Sequence, residues 1–194
     1  MMDLLLRAFP VEGFQITGPG WMESDADVYD LHAKVPESAT KEQATIMMQN
    51  LLVERFGLKF HQETREFTAY ELAIAKGGLK IKESSGGRFE LTAHFEGNPP
   101  HARLTARNTS ITMLIRSFRP YSERPIVDKT GLSGQYDATL EYDPRPAAGT
   151  HGEADASPML SVAIEQQLGL KFVDKKLPFE VIVIDHVEKN PIDN

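Results

Sequence analysis

Cysteine is absent from the 194 residues. That excludes disulfide bridges, thiolate nucleophiles and Cys-ligated zinc or iron–sulfur centres, and it leaves the compartment open. Long apolar runs are absent as well, none approaching the roughly 18–20 residues of a membrane span. The opening Met1-Met2-Asp3-Leu4-Leu5-Leu6-Arg7 is too short an apolar stretch for a secretion signal, carries Asp3 early and precedes no small-residue cleavage site, so it reads as the start of a helix. Basic character is scarce: 21 Lys and Arg stand against 28 Asp and Glu, a formal charge of −7. The cations are scattered among the acids, so no nucleic-acid partner is expected. With 41% apolar and 25% charged residues, the remainder has the composition of a globular protein that can bury a core.

Internal repetition is the strongest positive signal. Leu5-Leu6-Arg7-Ala8-Phe9 is matched 109 residues later by Leu114-Ile115-Arg116-Ser117-Phe118. Tyr29-Asp30, within a strand expected over Val28–Val35, is matched 107 residues later by Tyr136-Asp137. Gly57-Leu58-Lys59-Phe60 returns 112 residues later as Gly169-Leu170-Lys171-Phe172. Three pairs in one order at nearly constant spacing point to a duplication. The fold class expected is α+β: two tandem helix–strand–helix–strand–strand units, over 1–82 and 101–194, with mixed or antiparallel sheets and a connector at 83–100.

Each unit can be read locally. Ile111, Leu114, Ile115 and Phe118 recur at i, i+3, i+4 and i+7, one apolar stripe of a helix. Thr40 and Gln43 have capping-box spacing, and Ala44, Met47, Met48, Leu51 and Leu52 then form the face expected to be buried. Its counterpart is Met159–Leu168. Gly57 and Gly169 suit the left-handed residue that ends a helix. Leu-Lys-Phe then opens a strand, polar turns are expected at Gln62–Glu66 and Asp174–Lys176, and closing strands at Ala69–Ala75 and Phe179–Ile184. The last is apolar on both faces and reads as a central strand. A short strand is expected at Phe89–Phe95, another at Arg103–Ala106, and a mobile loop at 143–158. The first unit has no counterpart of Arg103–Ala106, so a strand upstream of Met1 is expected, with an open sheet edge and self-association where it is missing.

Candidate chemistry is sparse. Asp128-Lys129-Thr130-Gly131 matches the start of the phosphorylated loop of P-type ATPases, but Leu132 stands where that motif continues with threonine. Lys129-Thr130-Gly131 with Ser38-Ala39-Thr40-Lys41 is reminiscent of serine β-lactamases, yet no Ser-x-Asn element lies between them. The bland reading is a turn after a strand at Pro125–Val127, with Asp128 capping it and Gly131 and Gly134 supplying unusual backbone angles. The six histidines show no metal-ligand spacing, and neither Glu63 with Glu66 nor Asp137 with Glu141 forms a catalytic pair. Trp21, the single tryptophan, follows Gly18-Pro19-Gly20 and is either a binding platform or a loop anchor. The candidate binding residues are therefore Trp21, Asp128, Lys129, Thr130 and Tyr136. No catalytic residue, metal or cofactor is assigned.

Phe14-Gln15-Ile16, Gly18-Pro19-Gly20-Trp21, Glu63-Thr64-Arg65-Glu66, Ala75-Lys76-Gly77-Gly78, Val127–Leu132, Gly134-Gln135-Tyr136-Asp137 and Val183–Glu188 together resemble the acidobacterial expanded family of unknown function, over nearly the whole chain. The resemblance implies an exported protein, periplasmic or secreted, with an N-terminal signal and opening strand that this chain does not show. Some members are fused to sensor peptidases resembling the β-lactam receptor. The repeated unit also resembles the short N-terminal domains of secretins and TonB-dependent receptors, a likeness of topology. The function expected is a non-enzymatic ligand- or partner-binding module of the cell envelope. The alternative is an envelope hydrolase working beside Asp128-Lys129-Thr130.

Overall fold

In a computed structural model that describes residues 1–24, 29–97, 101–122, 124–144 and 159–192, the opening apolar run folds as helix α1 (Met2–Ala8), burying Leu4, Leu5 and Ala8. A short strand β1 (Ile16–Thr17) follows, and then helix α2 (Lys41–Phe56). The capping box forms as its spacing predicts: Thr40 Oγ1 accepts from Gln43 N, and Gln43 Oε1 accepts from Thr40 N at 2.9 Å. Gly57 ends the helix at φ +58. Strand β2 (Lys59–Ile74) starts two residues later and is followed by β3 (Lys82–Glu83), β4 (Glu90–Glu96) and β5 (His101–Ser110). Ser110 caps helix α3 (Ile111–Phe118), whose predicted stripe of Ile111, Leu114, Ile115 and Phe118 is buried throughout. Strands β6 (Ile126–Asp128) and β7 (Gln135–Tyr142) come next. Helix α4 (Leu160–Ala163) continues as a π-turn over Ile164–Leu168, is stopped by Gly169 at φ +69, and gives way to β8 (Leu170–His186).

The strands form two four-stranded sheets, in the orders β1-β8-β2-β6 and β3-β7-β5-β4. The chain divides into two compact units: Met1–Phe67 with Pro178–Asn194, and Thr68–Leu177. This division cuts across the chain, whereas the expected units followed it, because β2 and β8 each supply half their length to either unit. In the first unit β1 runs parallel to β8, Ile16 opposite Ile182, and Leu5, Ile16, Leu52, Phe56 and Ile182 form the core. Phe14 stands edge-on to both Phe67 and Phe179, with ring centroids 5.2 Å away in each case. In the second unit β6 runs parallel to β2, Ile126 opposite Tyr70, and α3 and α4 cover one face of the antiparallel sheet around Leu104, Leu140 and Tyr142. Burial pushes the Tyr142 hydroxyl pKa up, with the neighbouring Tyr121 adding to it.

The mixed α+β architecture is as expected, and β8 lies inside its sheet, as its two-sided apolar run predicts. Several local expectations fail. No strand forms over residues 29–35; Val28 lies outside the described residues. The two polar segments are not turns, because β2 and β8 run straight through them. Over Gln62–Thr68 exposure alternates residue by residue, and Glu63 is paired with Arg65 two positions on, on the same strand face. Charge there marks a solvated strand, and Gln62–Glu66 contains no glycine or proline to break it. Of the α2 face, Leu52 is fully buried, Ala44, Met48 and Leu51 half so, and Met47 is exposed. Gly131 takes the positive φ expected of it, +72, whereas Gly134 does not; a Cβ on Gly134 would instead lie 3.1 Å from the Tyr136 hydroxyl. Of the expected mobile loop, residues 145–158 lie outside the described residues.

Candidate functional site

The Asp128 segment is a hydrogen-bonded turn. One carboxylate oxygen of Asp128 accepts from Thr130 N at 2.9 Å and from Thr130 Oγ1 at 2.7 Å, and Thr130 Oγ1 in turn accepts from Leu132 N at 3.1 Å. Thr130 is buried beneath it, while Asp128 and Lys129 are exposed. The backbone of Lys129 donates to Leu72 O and so extends the β6–β2 pairing. One carboxylate oxygen of Asp128 thus holds the loop shape.

Trp21 sits in a single 3-10 turn, Gly20–Glu23, half-buried against the first unit's core. Gly18 ahead of it has no room for a side chain, since a Cβ there would lie 2.8 Å from Ile184 Cβ. Tyr136 is buried in the second unit's core, on β7. Of the five binding candidates Tyr136 is therefore packed into a core, Trp21 rests against one and Thr130 lies beneath a turn that Asp128 and Lys129 share.

His61 Nδ1 lies 2.9 Å from an Asp185 carboxylate oxygen, and its other ring nitrogen is 4.0 Å from Glu63. All three are about half exposed, a solvated pairing across β2 and β8 of modest strength. Among the described residues no set of three or more His, Asp or Glu is placed to hold a metal ion. Asp137 accepts a hydrogen bond from Asn108 N at 2.8 Å, and that backbone bond, with Ser84, holds its carboxyl below the ordinary range. Glu141 pairs with Arg103 at 3.6 Å.

Among the described residues, the clefts of the second unit include two shallow ones. One, of about 380 Å³, lies between the turn at Gly77-Gly78 and the exposed side of α4, with Lys80 and Glu165 at its walls. Lys80 Nζ already donates to Gln166 O at 2.7 Å, so its charge serves the helix end. The other, of about 320 Å³, runs along β5 and β7 past Arg107 and Asp137.

A surface of the second unit offers more than these clefts. Among the described strands β4 has one neighbour, β5, and its other edge carries no partner. Its seven residues include no proline and no lysine, and their register with β5 is unbroken from Glu90↔Arg107 to Glu96↔His101. Proline, lysine and a bulge are among the devices that blunt an edge, and β4 has none of the three. Phe89 and Phe95, at either end, are 49% and 53% exposed. Phe95 is held by Tyr121, centroids 6.0 Å apart, which stands edge-on to the buried Tyr142 at 5.6 Å.

Residues 2–187 match a family of proteins of unknown function, DUF3738. This chain belongs to DUF3738. No curated protein matches it significantly, and no solved structure does. In this DUF3738 chain the strand expected at Phe89–Phe95 forms, and its place at the edge of a sheet was not foreseen. The signal was present in the alternation of Phe89, Leu91, Ala93 and Phe95 without a gatekeeping Lys or Pro. What the sequence could not supply was the strand order that puts this segment at the outside of its sheet. Among the described residues no helix is long and apolar enough to cross a membrane.

Proposed function

We propose that this chain is a non-enzymatic partner-binding module of the cell envelope, exported by its bacterium, which captures a protein partner by strand addition at β4. The open β4 edge carries this reading. An incoming strand would satisfy the outward backbone groups of β4, while Phe89 and Phe95 would give it apolar side-chain contacts. The resemblance to exported acidobacterial proteins supports the envelope as its location. The reading is tested by capture from envelope extracts of the native bacterium with the exported form as bait, beside a Phe89→Lys/Phe95→Lys variant. Specific capture by the native sequence, lost in the variant with its circular dichroism unchanged, is the expected result. Equal capture by both, or a tagged chain that fractionates with cytoplasm, would sink the proposal.

A further inference from the structure

The sequence along the open edge is complementary to itself when reversed. Arg88-Phe89-Glu90-Leu91-Thr92-Ala93-His94-Phe95-Glu96, laid antiparallel against a second copy with Thr92 on the two-fold axis, opposes Arg88 to Glu96, Phe89 to Phe95, Glu90 to His94 and Leu91 to Ala93. Each of these pairs then recurs by symmetry on the other side of the axis. Opposite charges, paired aromatics and Thr against Thr are the cross-strand pairs that stabilise a sheet. Neighbouring registers lose this. Centring on Ala93 sets Glu90 against Glu96 twice, centring on Leu91 sets Arg88 against His94 and Phe95 against Gly87, and a slip of one residue mixes the two faces. Within the chain, Arg107 and Arg103 lie opposite Glu90 and His94 on β5, with Arg107 already 3.6 Å from Glu90. They add positive charge on the face where a second copy's Glu90 would arrive.

We infer that the partner at β4 is a second copy of this chain, joined antiparallel about a two-fold axis at Thr92 so that two four-stranded sheets become one. The inference rests on β4 being the docking edge and names what occupies it. It requires Arg88, Phe89 and Phe95 to be accessible, and all three are exposed.

Sedimentation of the whole chain across a concentration series tests the pairing, with three charge variants. Glu96→Arg alone and Arg88→Glu alone each put like charges opposite at both symmetry-related positions, and each should weaken the dimer about tenfold. The double variant Arg88→Glu/Glu96→Arg restores opposite charges and should recover most of the affinity. Because the chain has no cysteine, Thr92→Cys introduces one thiol. Mild oxidation should link it to its own copy, since a disulfide needs Cβ atoms within about 4.5 Å. Ala93→Cys, which faces Leu91, should link poorly. Circular dichroism confirms that each variant is folded. A monomer at every concentration, or a dimer indifferent to these charges and to the cysteine position, overturns the inference. A monomeric chain whose envelope capture is still lost in Phe89→Lys/Phe95→Lys refutes self-pairing and leaves strand addition to a different partner standing.

Discussion

Gly57 and Gly169 end their helices with almost the same backbone, φ +58 and +69, and each is followed by Leu-Lys-Phe at the head of a long strand. Their surroundings differ. A Cβ on Gly57 would meet nothing closer than Glu188 Cγ at 3.7 Å, an ordinary contact with a flexible side chain. A Cβ on Gly169 would sit 2.1 Å from Gly78 O and 2.8 Å from Lys80 N. The second unit folds a loop back onto its helix end, where Ala75 N donates to Gly169 O at 2.9 Å and Lys80 N to Leu168 O at 3.0 Å. The first unit closes its helix end with Glu188 N donating to Phe56 O at 2.7 Å, which leaves Gly57 clear. One local signal therefore serves two levels of constraint: backbone angle alone at Gly57, and angle plus close approach of another backbone at Gly169.

The sharpest way to break this comparison is alanine at both positions. Gly169→Ala must displace main chain held by two hydrogen bonds, so a loss of about 4 kcal/mol or more is expected, enough to leave little folded protein. Urea denaturation followed by circular dichroism measures it. A loss as small as that of Gly57→Ala would mean that the loop at 75–80 does not rest on the helix end.

Next in size come the two cores. Leu52 on α2 and Ile164 at the start of the π-turn are both fully buried, one in each unit. Truncation of either to alanine is expected to cost about 2–5 kcal/mol, from lost transfer energy and the cavity left behind. Trp21 belongs to the first unit, so its fluorescence should follow the Leu52→Ala transition directly. A loss below about 1 kcal/mol at both sites is incompatible with the burial of these faces. Smaller again is Gly57→Ala, where only the left-handed strain of about 1–2 kcal/mol applies. Gly57→Asn, a residue that tolerates that region better, should recover part of it.

The helix ends were legible because their chemistry is local. Thr40 with Gln43 and the two glycines act within a few residues of their own position, and each does what its sequence context says. The spacing expected of a duplication recurs in the sheet register at one place. Ile126 lies 110 residues after Ile16 and Ile182 lies 112 after Tyr70, and these are the residues that pair in the two parallel contacts. The strand expected over Val28–Val35 has no such support, since residues 29–35 form no strand. The polar stretches of β2 and β8 misled for a different reason. A strand with both faces partly solvated carries Glu, Arg, Asp and Lys without breaking, and neighbouring strands, invisible in a linear reading, decide where it ends. The open edge of β4 was hidden for the same reason.

The Tyr-Asp pairs give the smallest contrast and a test by pH. Tyr29 lies outside any strand, its ring edge-on to Phe56 and its hydroxyl donating to Lys189 O at 2.8 Å. Tyr136 is buried in β7, which turns the next residue, Asp137, outward beside the bulge in β5. There Asn108, at φ +46, donates its backbone N–H to the Asp137 carboxylate. That bond first, and Ser84 second, holds the Asp137 carboxyl below its ordinary value. A depressed carboxyl contributes stability that is fully present above the unfolded-state pKa, about 3.9, and is lost as pH falls through the lower folded-state value. Asp137→Asn should therefore melt slightly below the native protein at neutral pH, and the gap should close as pH falls below about 4. Thermal midpoints of both proteins across that range measure it, with carboxyl titration by NMR reporting the shift itself. A gap that stays constant with pH would assign Asp137 a role in packing, and the anchoring of the Asn108 bulge by charge would be wrong.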